Sequence, residues 1–407
     1  MALMPVSDAL AAVLADVEPM AEEMVTLDNA WHRVLASDIA ARRTQPPQAM
    51  SAMDGYAVRS ADATKAGTQL ELIGEVAAGR PFAGSVGAGQ AVRIFTGGVI
   101  PVGADAVVIQ EDTIAAGDRV TITEPAIPGR HIRPAGVDFS EGDVLLTRGT
   151  WLTDRDLSLA AGMNHPQLPV HRRPKVAILA TGDELVMPGT TPAPGQIVVS
   201  NGFALHALAR AEGADTVDLG IVADTVEATT SAIRRARESG ADILITTGGA
   251  SVGDHDLVKP ALEAEGFSMA FWKIAMRPGK PMMFGRHVGP LSTMRVIGLP
   301  GNPVSSYICG FLFMVPLIRA LSGRSVIHHR RETALLGSDV RANDAREDYM
   351  RARLEKREDG ALVATPVSLQ DSSLLANLAA AEALLVRTPS APKASAGSAC
   401  EVLRLPV

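Results

Sequence analysis

The sequence predicts a multidomain chain of α/β and β parts: a helical lead-in, a small β domain, a returning helix, a doubly wound α/β unit and a β-like tail. Three observations carry this. The chain has 407 residues, and at roughly one domain per 150 residues it should hold two to four domains. Between residues 175 and 325 apolar runs of strand type alternate with helical segments, the pattern of a parallel sheet with helices on both faces. Residues 68 to 146 and 326 to 407 instead carry short β-rich runs broken by Gly and Pro, which leaves no room for long helices.

Composition narrows the class. With 47% hydrophobic and 20% charged residues the chain is soluble and well cored, and 38 Lys+Arg against 45 Asp+Glu give a net charge of −7. A general nucleic-acid binder needs a basic face and is excluded. Cys309 and Cys400 are far apart and lack Cys/His spacing, so neither a disulfide framework nor a structural zinc site is expected, and a reducing cytoplasm fits best. The first twenty residues carry acids but no Lys or Arg, unlike a secretory signal. Leu299 to Ile318 has no charge, yet it opens LPGNP and contains Ser305, Ser306 and Pro316, which reads as a loop entering a buried helix and not as a membrane span.

In chain order, Ser7 suits an N-cap, and Leu10, Val13 and Leu14 recur at helical spacing; a second amphipathic stretch runs from about Asn29 to Leu35. Two prolines at 46 and 47 lead through the turn dipeptide Asp54-Gly55 into alternating Tyr56 and Val58. The runs LELIGEV, AVRIFTG, DAVVIQED and RVTITEP are strands of the small β domain. Thr153 and Asp156 form a capping box for a helix over 154 to 162. Beyond the basic linker HRRPK come KVAILATG as a strand, a helix after Asn201, TVDLGIV as a strand and VEATTSAIRRARESG as a helix. DILITTGG is a strand, LVKPALEAEG a helix, RVIGLP a strand, and a helix runs from Pro303 to about Leu321. Phe311, Phe313 and Met314 read as core, and His328-His329-Arg330-Arg331 as a solvated linker. The tail alternates DYMRARLEK, ALVATPV, EALLVRT and CEVLRLPV with a helix-like LLANLAAAE.

Ligands of an open parallel sheet bind outside the carboxyl ends of its strands. The segments there are Thr181-Gly182-Asp183-Glu184, Ala223-Asp224, residues 246 to 256 (TTGGASVGDHD), Arg277-Pro278-Gly279-Lys280-Pro281 and Leu299-Pro300-Gly301-Asn302-Pro303. Their glycines let backbone N–H groups approach a phosphate, hydroxyls bond its oxygens, and Arg277 and Lys280 supply charge. Asn302 suits an N-cap and Pro303 the first helical position, a helix start that can hold an anion. Asp54, Asp138, Glu184, Asp224 and Asp256 are hard carboxylates, and Mg²⁺ takes one or two of these plus phosphate oxygens. Neither GxxxxGK[ST] nor HExxH occurs, so the corresponding enzyme classes are set aside.

Seven segments in order, MDGYA (53 to 57), IFTGGVIPVGADAVV (94 to 108), IRPAGVDF (132 to 139), TGDEL (181 to 185), TTGGASVGDHD, RPGKP and LPGNPVSS (299 to 306), resemble the signature set of the MoeA family, which is similar to the gephyrin E domain. The resemblance implies a split helical subdomain (1–45 and 146–174), an inserted β subdomain (46–145), a MogA-like α/β subdomain (175–325) and a C-terminal β subdomain (326–407). It implies a molybdopterin molybdenumtransferase that takes adenylylated molybdopterin and molybdate, with Mg²⁺, to molybdenum cofactor and AMP. It also implies a homodimer with a composite site, a MogA-type adenylyltransferase upstream and apo-molybdoenzymes downstream, with no nucleic-acid or membrane partner.

By the same resemblance Asp54, Asp138, Glu184, Asp256 and Lys280 are catalytic, with Glu184 and Asp256 holding the metal. Thr96, Asp224, Gly248, Gly249, Ser251, Arg277, Pro300, Gly301, Asn302, Pro303, Arg351 and Ser372 bind substrate, the last pair at a molybdate pocket. Asp54, Thr96 and Asp138 would act from the partner protomer. Two departures stand out. Arg277 replaces a frequent Lys, and the C-terminal segment reads Gln370-Asp371-Ser372-Ser373 and Ala381-Glu382 where the family reads QGSG and AN. Two other readings remain, a scaffold that uses the dimer to bind partners and a metal-dependent nucleotide pyrophosphatase of the CinA-like kind.

Overall fold

The run Lys175–Thr181 is buried on both sides, as a central parallel strand requires: Val176 and Ile178 enter one core, Ala177 and Leu179 the other. The structure, a computed structural model, describes residues 3–248, 257–289 and 293–406. Strands Asp215–Val222, Lys175–Thr181, Ile243–Thr247 and Thr293–Leu299 lie parallel in that spatial order. Helices Asn201–Ala211 and the long helix from Pro303 cover one face with the first helix, Val6–Leu14. Val226–Glu238 and Val258–Ala264 cover the other.

Two further strands, Pro281–Val288 and Ser268–Lys273, extend the sheet antiparallel. They were not expected. The residues joining them, 274 to 280, are too few for the helical crossover that a parallel pair demands, so only the antiparallel arrangement is open.

The N-terminal reading also shifts. The first helix starts at Val6 with Pro5 in the cap position, because Pro has no N–H to leave unpaired; the Ser7 hydroxyl turns to Asp8 instead. The second amphipathic stretch contracts to Leu27–Ala30, followed by His32 with φ 56°. Ahead of it the strand Glu22–Thr26 pairs antiparallel with Gln167–His171, joining the two halves of the split unit. The expected helix Asp154–Gly162 forms, and Asp156 Oδ2 accepts from the Thr153 N–H at 2.8 Å. Between the halves lies a six-stranded sheet in the order Ala106–Ile109, Gly55–Val58, Gln90–Ile94, Thr68–Val76, Arg119–Ile122, Thr113–Ala116.

Glu347–Lys356 pairs with both Leu362–Pro366 and Ala383–Arg387, and with Arg331–Leu336 and Ala399–Arg404 these strands close into a five-stranded barrel. Tyr349, Leu384, Val386 and Leu403 of the barrel share a core with the helix from Pro303. That helix, Pro303–Leu321, is apolar enough to cross a membrane but is 89% buried inside the protein. Its turn Gly310–Met314 is π-helical, just before Pro316, which has no N–H for the regular ladder.

The segment 328 to 331 is only partly the solvated linker expected. His329 stacks on Phe311 at 3.7 Å, and its Nε2–H donates to the Phe311 carbonyl at 2.7 Å. Arg331 opens a barrel strand. Both cysteines are free thiols.

Candidate active site

The loops at the carboxyl end of the parallel strands converge through their glycines. Gly248 follows strand Ile243–Thr247 with φ +89°, and a Cβ there would lie 2.5 Å from the Thr181 carbonyl oxygen. Only glycine allows this contact and this backbone conformation. The Gly248 N–H donates to the Leu299 carbonyl at 3.3 Å, and Gly301 packs on the Gly248 Cα. Asn201, the first residue of its helix, donates from Nδ2 to the Gly301 carbonyl at 2.8 Å. Thr181, Gly248, Gly301 and Asn201 thus form one continuous floor, with the buried Pro300 behind it.

Carboxylates line this edge. The Glu184 carboxylate folds back over the Gly182 Cα, where a Cβ would meet Oε2 at 2.7 Å. Asp183 Oδ1 accepts from the Asp224 backbone N–H at 3.1 Å and so ties two loops. Desolvation, then the charges of Asp183 and Glu184, push the Asp224 carboxyl above its usual range. Asp183 is thus a site residue that the motif alone does not single out, its signal being its place beside Glu184 in the same turn. Gly249, Ser251 and Asp256 lie outside the described residues.

The cations divide. Lys280 is exposed and makes no ion pair among the described residues. Arg277 is committed to the barrel: its strand Met276–Arg277 pairs with Glu347 and Asp348, and its guanidinium bonds Asp348, Asn343 at 3.2 Å and Asp344 at 3.5 Å. These acids hold its pKa above the ordinary value. Of the two cations in RPGKP, Arg277 is ion-paired and Lys280 makes no ion pair among the described residues.

Asn302 stands at the N-cap position, but its side chain does not cap. It donates to Ser372 Oγ at 2.9 Å, while the Ser372 carbonyl accepts from the Val304 N–H at 3.1 Å behind Pro303. Arg351, expected at a molybdate pocket, is 1% exposed. Its guanidinium bonds Gln370 Oε1 at 3.3 Å and the Leu369 and Leu374 carbonyls at 3.4 Å, which fixes the loop bearing Ser372. Of the two added acids, Asp371 accepts from Ser373, and Glu382 accepts from the Leu354 N–H at 2.9 Å on the barrel.

Asp54 and Thr96 are brought together: Asp54 Oδ1 accepts from the Thr96 N–H at 2.7 Å and from its hydroxyl at 2.8 Å. These bonds, the backbone one first, hold the carboxyl below its ordinary range. Asp138 is exposed, its N–H bonded to the Gln45 carbonyl at 3.1 Å. Within one chain no hydrogen bond or ion pair among the described residues links these three to the sheet edge.

Comparison with known proteins gives this arrangement a family. Sequence profiles described as the MoeA N-terminal region (domain I and II), a probable molybdopterin binding domain, and the MoeA C-terminal region (domain IV) match residues 4–163, 177–320 and 333–405. The molybdopterin molybdenumtransferase of Haemophilus influenzae is 36% identical over 381 residues, 93% of each chain. The chain belongs to the MoeA family. Its Bacillus subtilis counterpart of the same name is 35% identical over 94% of this chain and 89% of its own. The solved MoeA protein of Pyrococcus horikoshii superposes with a TM-score of 0.82 at 29% identity, covering 99% of both chains. Curated members are molybdopterin molybdenumtransferases, so this MoeA chain is an enzyme of molybdenum cofactor biosynthesis.

Proposed function

We propose that the chain inserts molybdate into adenylylated molybdopterin in a Mg²⁺-dependent reaction that releases AMP, acting in the cytoplasm as a homodimer with composite sites. The observation that carries this reading is the single edge where the Gly248–Gly301 floor, the carboxylates Asp183, Glu184 and Asp224, and Lys280, without an ion pair among the described residues, come from neighbouring strands. An adenylylated substrate contains a phosphoanhydride, and its cleavage puts charge on the departing AMP oxygen.

The donor set fits a hard divalent cation: the carboxylates are oxygen ligands, and a cation beside Asp224 would offset the burial, and then the charges of Asp183 and Glu184, that raise its carboxyl. Glu184 and Asp256 would hold Mg²⁺, which supplies charge neutralisation at phosphoryl oxygens. Gly248, Gly249, Ser251, Pro300, Gly301, Asn302 and Pro303 shape the cradle for phosphate, and the backbone N–H groups of Gly301 and Asn302 orient it. Lys280 offsets developing charge on the anion. Arg277, held by Asp348, presents its remaining N–H surface, and Arg351 acts by fixing the loop of Ser372. Asp54, Thr96 and Asp138 of a second copy complete the site; the exposure of Thr96 and Asp138, and the lack of any hydrogen bond or ion pair among the described residues from the three to the edge, support this. A MogA-type adenylyltransferase supplies the substrate and apo-molybdoenzymes take the product.

The test is AMP release by the purified chain with Mg²⁺, adenylylated molybdopterin and molybdate. Glu184→Ala and Lys280→Ala should each nearly abolish it. Asp54→Ala should do the same, and mixing the Asp54→Ala and Glu184→Ala chains should restore part of the activity through dimers with one intact site. AMP release no faster than without protein would refute the reading, and failure of the mixture to recover would refute the composite site.

A further inference from the structure

The inserted β subdomain fixes a cation beside Asp54 without neutralising it. Arg93 lies on strand Gln90–Ile94, directly opposite Tyr56 of strand Gly55–Val58, and Tyr56 closes the subdomain's core. The Arg93 guanidinium carbon stands 4.9 Å from the Tyr56 ring centre and 5.0 Å from that of Phe95, two residues on along the same face. Its Nη2–H donates to Gln110 Oε1 at 2.7 Å, and the Gln110 backbone N–H donates to the Asp54 carbonyl at 3.1 Å. Thr96, which follows Phe95, donates to the Asp54 carboxylate. Arg93 is thus held next to the Asp54–Thr96 pair; the Thr96 hydrogen bonds, and after them the Arg93 charge, lower the Asp54 carboxyl. Arg93 forms no ion pair among the described residues, its register neighbour Glu75 on strand Thr68–Val76 included.

We infer that Arg93 is a further substrate-binding residue, a cation that the β subdomain of one copy brings, with Asp54 and Thr96, to the phosphate groups held at the sheet edge of the other. The inference rests on the composite site proposed above and names a residue which that reading does not use. Charge is the first argument. At the edge, Asp183, Glu184 and Asp224 offset Lys280 and a divalent cation in full, and Asp54 and Asp138 of the second copy add further acids. A phosphoanhydride and an oxyanion bring negative charge of their own, and an anion withdrawn from water without a partner is costly. A further cation is needed, and Arg93 is fixed beside one of the added acids. Geometry is the second argument. A guanidinium offers several N–H donors in one plane, a fork that matches phosphate oxygens. Gln110 takes one of them, and no other makes a hydrogen bond among the described residues. The two rings and the amide order the side chain before a ligand arrives, so little conformational freedom remains to be lost on binding.

The experiment measures the KM for adenylylated molybdopterin and, by calorimetry, the affinity for inorganic pyrophosphate with Mg²⁺, in the full wild-type chain, Arg93→Gln and Arg93→Lys. Both constants should weaken about tenfold in Arg93→Gln, which loses a charged hydrogen-bonding partner. Arg93→Lys keeps the charge without the fork and should fall between. Melting temperatures separate this from a packing role, which would lower stability and leave both constants in place. Mixing Arg93→Gln with Glu184→Ala chains should restore activity at low substrate, since one site of each mixed dimer is intact. Mixing Arg93→Gln with Asp54→Ala should not, since both defects lie on the same subdomain face. Unchanged constants in Arg93→Gln, a mixture with Glu184→Ala that does not recover, or one with Asp54→Ala that does, would overturn the inference. A wild type that binds pyrophosphate more tightly than Arg93→Gln yet releases no AMP retains the inference and loses the preceding reading. AMP release with equal constants in wild type and Arg93→Gln does the reverse.

Discussion

The Asn302 amide donates to Ser372 Oγ at 2.9 Å, and the Ser372 carbonyl caps the Val304 N–H, so the C-terminal barrel closes the start of the helix that the α/β sheet presents. Ser372→Ala removes the hydroxyl and leaves the carbonyl. Asn302 is exposed, and water replaces the lost partner, so the cost in stability should stay below about 1 kcal/mol. The local effect should be larger than the global one: amide exchange at Val304 should speed up while exchange in strand Lys175–Thr181 does not. Unchanged exchange at Val304 would mean that the contact does not hold the barrel to the helix.

Gly248 is the least replaceable residue of the floor. Its φ of +89° and the 2.5 Å approach to the Thr181 carbonyl leave no room for a methyl group. Gly248→Ala should cost roughly 1–3 kcal/mol in backbone strain, lower the melting temperature and remove AMP release. Gly240→Ala has a comparable φ of +72° but open space around it. Its backbone conformation alone should cost about 1–2 kcal/mol, less than Gly248→Ala, and leave the variant active. Equal behaviour of the two variants would show that the close approach to Thr181 is not what matters.

These two sites mark what was legible in the sequence. The floor follows from local pattern: apolar runs such as 175–181 name the strands, Gly after a strand names the turn, and the Thr153 and Asp156 box names its helix. What could not be read is pairing across the chain. Strand Glu22–Thr26 finds its partner in Gln167–His171, and Arg277 finds Asp348, because the barrel brings strand Glu347–Lys356 against it. Nothing in RPGKP itself says that one of its cations is taken. Arg351 shows the same limit: a cation on a barrel strand reads as a ligand until the loop carbonyls of Leu369 and Leu374 are seen around it.

Asp54 and Thr96 give a prediction on proton affinity. The Thr96 N–H contributes most to lowering the Asp54 carboxyl and the hydroxyl contributes next. Thr96→Val keeps the first and removes the second, so the Asp54 titration midpoint should rise toward the ordinary 3.8 without reaching it. Carboxyl-carbon NMR titration reads this directly. A midpoint that does not move would place the hydroxyl elsewhere in solution.

His329 supplies the pH dependence of stability. Burial pushes its imidazole from the ordinary 6.5 down to about 4, and the Phe311 carbonyl, freed in the π-helical turn before Pro316, requires the neutral Nε2–H tautomer. Above pH 6.5 the group is neutral both folded and unfolded and exerts no pull. As pH falls from 6.5 toward 4 the unfolded chain takes up a proton that the folded chain refuses, so stability declines across that window. The full loss is on the order of 3 kcal/mol. His329→Phe keeps a ring for Phe311 to stack on but leaves the carbonyl unpaired, costing about 1–3 kcal/mol at pH 7.5. In return the variant should lose stability less steeply than wild type between pH 6.5 and 4, and urea midpoints measured across that range compare the two. Parallel curves would mean that His329 is protonated in the folded protein and that its stack on Phe311, not its neutrality, is what the helix turn requires.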